Sequence, residues 1–239
     1  MINLVKTAVL ALTIAVASGC TSPQSFDDFD TKEKIYLETN NHRALIELYK
    51  NGLREKDSQE LREKLAKVYL KKGDSESAVE LLLSIHEQMF NKSTAIVLSN
   101  AYLEQGDTSK AEKIALKAYQ QFGVDAELEN LLGIIKSTKG EYSEAREYFK
   151  IAKSHFYDDI TIENNLAMLD ILDGNYQAAS ERLIKLYEEY PNDISIKNNL
   201  MLSLAKAGDL NSMKSVFGEE MSYEKIEQYY KALRNLSSD

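Results

Sequence analysis

The chain has no tryptophan, a single cysteine, two prolines and three histidines among its 239 residues. One cysteine cannot form an intramolecular disulfide, so the sequence is not a disulfide-stapled scaffold. So little proline, with ten glycines, leaves no Pro- or Gly-rich linker to divide the chain into domains. His42, His86 and His155 stand far apart, without a His or Cys partner at helical spacing, which favours surface or packing roles over metal binding. Asp27-Asp28-Phe29-Asp30 lacks the glycine and terminal glutamate of a calcium loop. No Gly-rich phosphate loop, nucleophile elbow or framed pair of carboxylates occurs either. The chain therefore reads as non-enzymatic and without a cofactor, and no stretch reads as strand. A net charge of −9 argues against nucleic acid as a partner, since phosphate binding needs a basic footprint, and suits a basic protein segment better.

What the chain does have is a period. Gly73-Asp74, Gly106-Asp107, Gly140-Glu141, Gly174-Asn175 and Gly208-Asp209 recur at intervals of 33, 34, 34 and 34 residues. A period of this size marks a stacked repeat, because one such unit cannot bury its apolar face alone. Other columns keep step. Leu65, Leu98, Leu132, Leu166 and Leu200 stand eight before each glycine, and Ala66, Ser99, Gly133, Ala167 and Met201 seven before. Five after come Ala78, Ala111, Ala145, Ala179 and Met213, and nine after come Leu82, Phe149, Leu183 and Phe217. Small residues in that register let one helix before the turn approach one after it, while glycine supplies the left-handed backbone between them.

These columns resemble the tetratricopeptide (TPR) pattern over residues 59–217, which implies an all-α solenoid of helical hairpins, a right-handed superhelix, with five repeats. Upstream, Thr39-Asn40-Asn41 lies one period before Gly73, and residues 31–58 read as a degenerate first repeat whose opening helix can only be 31–38. Downstream, Tyr223, Ile226, Tyr230 and Leu233 recur at three- and four-residue spacing behind Ser222, a good N-cap. Residues 218–239 are thus expected to cap the open end of the stack.

The first twenty residues follow different rules. Residues 1–19 carry one charge, Lys6, ahead of an apolar run over 8–17, too short to span a bilayer, which takes about 20 residues. Ala17-Ser18-Gly19-Cys20 resembles the bacterial lipobox, which implies cleavage before Cys20 and covalent attachment of a diacylglycerol and an N-acyl chain to it. Thr21 replaces the aspartate that would imply inner-membrane retention, so the resemblance points to the outer membrane, facing the periplasm. Residues 20–30 then form a polar tether that holds the repeats within roughly 30–35 Å of the lipid at about 3.3 Å per residue.

In TPR proteins the first helix of each hairpin lines a concave groove. Asn130, Asn164 and Asn198 stand ten before their glycines, Asn165 and Asn199 nine before, and Asn100 six before. Asparagine is not a favoured residue inside helices, and a column of carboxamides can bond a peptide backbone without reading its sequence. The arrangement is similar to the asparagine ladder of the O-GlcNAc transferase superhelix. Ile96, Leu103, Ile134, Met168, Ile171 and Leu202 are expected beside the amides, giving a surface for an amphipathic helix or extended strand. Some of these are equally placed to pack against the next hairpin, and the asparagines to bond across units. The carboxylate clamp of chaperone-binding TPR domains is missing, its places holding Glu63, Ile96, Asn130 and Asn164.

The closing repeats, with Asn164-Asn165-Leu166-Ala167 and the run from Asn198 through Gly208-Asp209-Leu210, resemble those of the TadD family of TPR lipoproteins of the tight-adherence (Flp) pilus system. That resemblance implies a pilotin-like assistant to a secretin or another pilus component. The alternatives are an adaptor in barrel assembly or cell-wall enzyme regulation, a type IV pilus pilotin, or a module of polysaccharide export.

Overall fold

The computed structural model describes residues 28–88 and 90–236, without the side chains of 84–88. Residues 1–19, Cys20 and most of the expected tether lie outside them. Within them are thirteen α-helices and no strand: α1 (Asp28–Glu38), α2 (His42–Glu55), α3 (Gln59–Lys71), α4 (Ser75–Gln88), α5 (Lys92–Glu104), α6 (Thr108–Phe122), α7 (Ala126–Thr138), α8 (Tyr142–Ser154), α9 (Asp159–Leu172), α10 (Tyr176–Glu189), α11 (Ile194–Ala207), α12 (Leu210–Phe217) and α13 (Tyr223–Arg234). They pair as six hairpins followed by α13.

The glycine dipeptides turn all five hairpins and cap the second helix in three of them. The five turn glycines sit at φ between 74° and 81°, where a side chain is costly. In three of the units the aspartate that follows caps the second helix: Asp74 accepts from the Ser77 N–H, Asp107 from Lys110 and Asp209 from Ser212. First helices are capped in turn by Ser58, Asn91, Asp125, Asp158 and Asp193. The opening hairpin makes the same turn without glycine. Asn40 takes φ 50°, tolerable because its short polar side chain suits the left-handed region. Its first helix already includes Asp28–Asp30, three residues before the expected 31, and so takes in the end of the expected tether; Phe29 packs against the core of that hairpin.

The periodic columns are the core. Leu98, Leu132 and Leu200 are inaccessible, as are Ala78, Ala111, Ala145, Ala179 and Met213 in the small column, and Leu82, Leu183 and Phe217 in the large one. Gly133 shows why one column must stay small: a Cβ there would stand 2.5 Å from the Phe149 ring. Met201 and Met213 replace small residues in the last hairpin yet are buried, their flexible chains filling the space beside the short α12. Ile226 of α13 is fully buried, and Tyr230 and Leu233 pack on the same cluster. Tyr223, expected on that face, is 61 % exposed.

The first helices touch along the stack, α3 on α5, α5 on α7, α7 on α9 and α9 on α11, and α13 takes the next place against α11. The backbones of second helices come close only to those of first helices and α13. Successive first helices are therefore closer together than successive second helices, which puts them on the inner, concave side of the curve.

Candidate functional site

The concave face is held by polar side chains reaching from one first helix to the next. Asn165 on α9 donates to Oδ1 of Asn130 on α7 across 2.9 Å. Asn199 on α11 donates to Oδ1 of Asn164 on α9 across 3.0 Å, and Asn164 donates to the Ser195 hydroxyl across 3.1 Å. Toward the N-terminus Glu63 on α3 has the same place, accepting from the Ser93 and Thr94 hydroxyls of α5. Four of the six asparagines read as groove residues thus bond across units. Each carboxamide carries two donor hydrogens and two acceptor lone pairs, so a clip uses part of its capacity and orients the rest.

The structure sorts the remaining groove candidates. Asn198 is exposed and Asn100 partly so, and neither side chain has a hydrogen-bond partner among the described residues. Asn130, at 6 % exposure, lies too deep to meet a ligand. Ile96 and Ile171 are core residues at 6 % and 7 %, members of the buried clusters and not open groove residues. Leu103, Ile134, Met168 and Leu202 are partly buried and pack at the edges of core clusters.

One opening was not visible in the sequence. Where α9 and α11 begin, the end of α10 and the 190–193 connection border a cleft of about 680 Å³ that Asn164, Asn165 and Ser195 also line. Its mouth carries Asp158, Glu189 and Asp193, and its lining contains no lysine or arginine. Pro191 lies in that connection, between α10 and α11. Hydrogen bonds from the Thr161 hydroxyl and backbone hold the Asp158 carboxyl below its ordinary range, so the mouth is negatively charged at neutral pH. The cleft offers acceptors, carboxamides and the apolar edges of Ile160 and Tyr190. Among the described residues no group of three or more His, Cys, Asp or Glu is placed to hold a metal ion, and no helix is long and apolar enough to cross a membrane.

His155 also departs from a simple surface role. Its Nδ1 lies 2.7 Å from Oε2 of Glu129, a carboxylate with no exposed side-chain surface that accepts from the Tyr119 hydroxyl as well.

Carboxylates join the hairpins elsewhere too. Glu112 on α6 is held below its ordinary value of 4.5 by Lys139 and Lys136 of α7. Burial pushes Glu163 up, but Lys153 of α8 and Arg182 of α10 outweigh it and the net shift is down. Burial likewise opposes, and Ser93 and Thr94 overcome it, at Glu63. A carboxylate whose folded pKa lies below its unfolded one stabilises the fold above the unfolded value, and that contribution is lost as pH falls through the folded value. The thermal midpoint is therefore expected to be level near neutrality and to fall by on the order of 5–10 °C as pH drops from about 4.5 to 3.5. Calorimetry across that range checks it; a level midpoint there would remove these carboxylates from the stability of the stack.

No family model matches the chain, and no curated protein does. Among solved structures it is similar to a thermophilic TPR protein of Thermus thermophilus, at 21% identity and a TM-score of 0.65, covering 74% of this chain and 97% of that one. A TPR protein of Parabacteroides merdae is similar at 17% identity and TM-score 0.61, covering 88% and 90%. YrrB, described as a TPR protein with an unusual peptide-binding site, is similar at 13% identity and TM-score 0.51, covering 79% and 98%. With its glycine-turned hairpins, its inner row of first helices and these neighbours, the chain has the fold of a TPR solenoid.

Proposed function

We propose that the protein is a non-enzymatic interaction scaffold whose concave face, at the cleft between α9 and α11, holds a segment of a partner protein. The observation that carries this reading is the cleft itself, where oriented carboxamides and an acidic mouth without a basic residue lie against the inner row of helices. A segment combining apolar residues with a lysine or arginine fits those surfaces. The peptide-binding site of YrrB supports the reading by analogy of fold.

The lipobox-like Ala17-Ser18-Gly19-Cys20 and the TadD-like closing repeats support a finer form of it. In that form Cys20 carries the lipid, the protein faces the periplasm at the outer membrane, and it assists a secretin or another component of a Flp-type pilus. Lipid anchoring then raises the concentration of the cleft where such a client inserts.

In-cell photo-crosslinking from position 198, exposed beside the clips, tests both levels. Capture of a secretin or pilus subunit is the expected result. Capture of barrel-assembly or cell-wall proteins would move the chain to the adaptor reading, and no capture from 198 or from 164 would put the partner on another face. Converting Asn164, Asn165 and Asn199 together to alanine, with the crosslinker kept at 198, is expected to abolish capture. The three lost clips cost stability of about 1 kcal/mol each, and helical content by circular dichroism should persist. Radiolabelled palmitate incorporation, lost on Cys20→Ser, tests the anchor separately.

A further inference from the structure

Each hairpin runs out along its first helix, turns, and returns along its second, and the first helices lie side by side. All the turns therefore fall on one edge of the stack and all the connections between units on the other, about 20 Å away at 1.5 Å per helical residue. The two edges differ in apolar exposure. Among the described residues the four most exposed large hydrophobic side chains are Phe156 at 96 %, Ile194 at 73 %, Val124 at 67 % and Tyr223 at 61 %. All four belong to the connection edge: Val124 lies between α6 and α7, Phe156 between α8 and α9, and Ile194 and Tyr223 are the first residues of α11 and α13. Four successive connections thus present one such group each. Phe156 does so at φ 64°, a left-handed backbone that an aromatic residue adopts only at a cost. Apolar groups that bury little in their own chain and recur along one edge mark a surface that something apolar covers.

The N-terminal chain leaves from the same edge. As a first helix, α1 begins on the connection side, and Asp28 stands eight residues after Cys20. A lipid on that cysteine is then held within about 26 Å of this edge at about 3.3 Å per residue, with the turn edge a helix length farther off. Aromatic and aliphatic side chains favour the headgroup level of a bilayer. Shallow insertion of a few of them is weak for a free protein but effective once a tether makes it intramolecular. Charge selects the kind of surface: Asp158 and Asp193, N-caps on this edge, have no ion-pair partner among the described residues and disfavour anionic headgroups.

We propose that the connection edge of the stack lies on a zwitterionic lipid surface, with Val124, Phe156, Ile194 and Tyr223 at headgroup depth. This placement rests on the lipid-anchored form of the proposed function and adds an orientation to it. The cleft, which shares Tyr190 and the start of α11 with this edge, then stands beside the bilayer.

The chain has no tryptophan, so a single introduced one reports its own position. The chain from Cys20 onward, the mature form that the lipobox implies, is coupled through that thiol to a maleimide-bearing lipid in phosphatidylcholine vesicles. The anchor is then present whether or not a cell supplies it, so failure of the edge is distinct from failure of lipidation, which palmitate incorporation reads. Val124→Trp, Phe156→Trp and Ile194→Trp are expected to emit further to the blue, and to be quenched by brominated acyl chains at least about twofold more, than Gln105→Trp on the turn edge. Phe156→Ser with Ile194→Ser should release the Val124→Trp probe from that quenching and leave the thermal midpoint unchanged, since both side chains are mostly exposed. Edge probes as open to aqueous acrylamide as the turn probe overturn the proposal. Edge probes shielded from acrylamide but not quenched by brominated lipid overturn it as well, because a protein partner or a second copy then covers the edge. Quenching that is stronger on phosphatidylglycerol vesicles overturns the zwitterionic assignment.

Discussion

Phe149→Ala is expected to lower stability by about 3–5 kcal/mol and to split the unfolding transition in two. The side chain is 1 % exposed and its ring fills the space left by Gly133 on the neighbouring helix, so its removal combines lost burial with a cavity that the rigid helix pair cannot close. Its position matters as much as its size. One large core cluster runs from α3 to α7 and another from α9 to α13, and the small cluster of Ala145, Phe149, Ala152, Ile162, Leu166 and Leu169 joins them. In a solenoid, stability is a sum of unit terms and nearest-neighbour interfaces, so weakening one central interface uncouples the two sides. Urea unfolding followed by circular dichroism and by tyrosine fluorescence should give coincident curves for the parent chain and separated ones for Phe149→Ala. A single coincident transition at only slightly lower urea would show that the waist carries less than the packing indicates.

Asp170→Ala is the second large effect. The Asp170 carboxylate on α9 is 8 % exposed and lies 2.8 Å from Nη2 of Arg146 on α8 and 3.5 Å from Nε of Arg182 on α10. Removing it leaves Arg146 with only Asp173, at 3.5 Å, and Arg182 with only Glu163, and the Arg182 Nε already lacks a hydrogen bond. Losing one partner of a buried pair costs about 3–5 kcal/mol when the other stays buried. Here Arg146 and Arg182 keep 27% and 32% exposure and can turn toward water, which reduces the expected loss to about 2–3 kcal/mol. The triple variant Asp170→Leu, Arg146→Met, Arg182→Met is expected to recover most of it, because no ion is then left without a partner. Urea midpoints of the two variants decide the point: a triple variant no better than Asp170→Ala would mean that the network contributes more than charge balance.

Much of this fold was legible because a solenoid writes its geometry periodically. Each turn glycine reports a left-handed backbone, each leucine eight before it a buried position, and the agreement of columns identifies the hairpin without any single residue being decisive. The asparagine columns were legible as a pattern but their partners were not. A bond such as Asn164 to Asn199 spans 35 residues, and sequence spacing cannot choose between a neighbour in the stack and a ligand in the groove. Ile96 shows the same limit, since its column holds clip residues in other units and a packed one here. Phe156 and the cleft beside Pro191 fall in connections between units, where the period carries no information. The early start of α1 was hidden because its helix pattern has no buried residue to announce it.

The difference between the two rows of helices has a mechanical meaning. On the inside, α3 is fastened to α5 by Glu63 with its two hydroxyls, and α7, α9 and α11 to one another by the asparagine pairs, while on the outside successive helices stand farther apart. A beam tied along one side only bends easily about the tied side. The outer gaps can widen or narrow while the clipped row keeps its length, so the stack behaves as a spring of fixed inner arc, and a pull on either end would change the grip of the cleft before it broke a single hairpin.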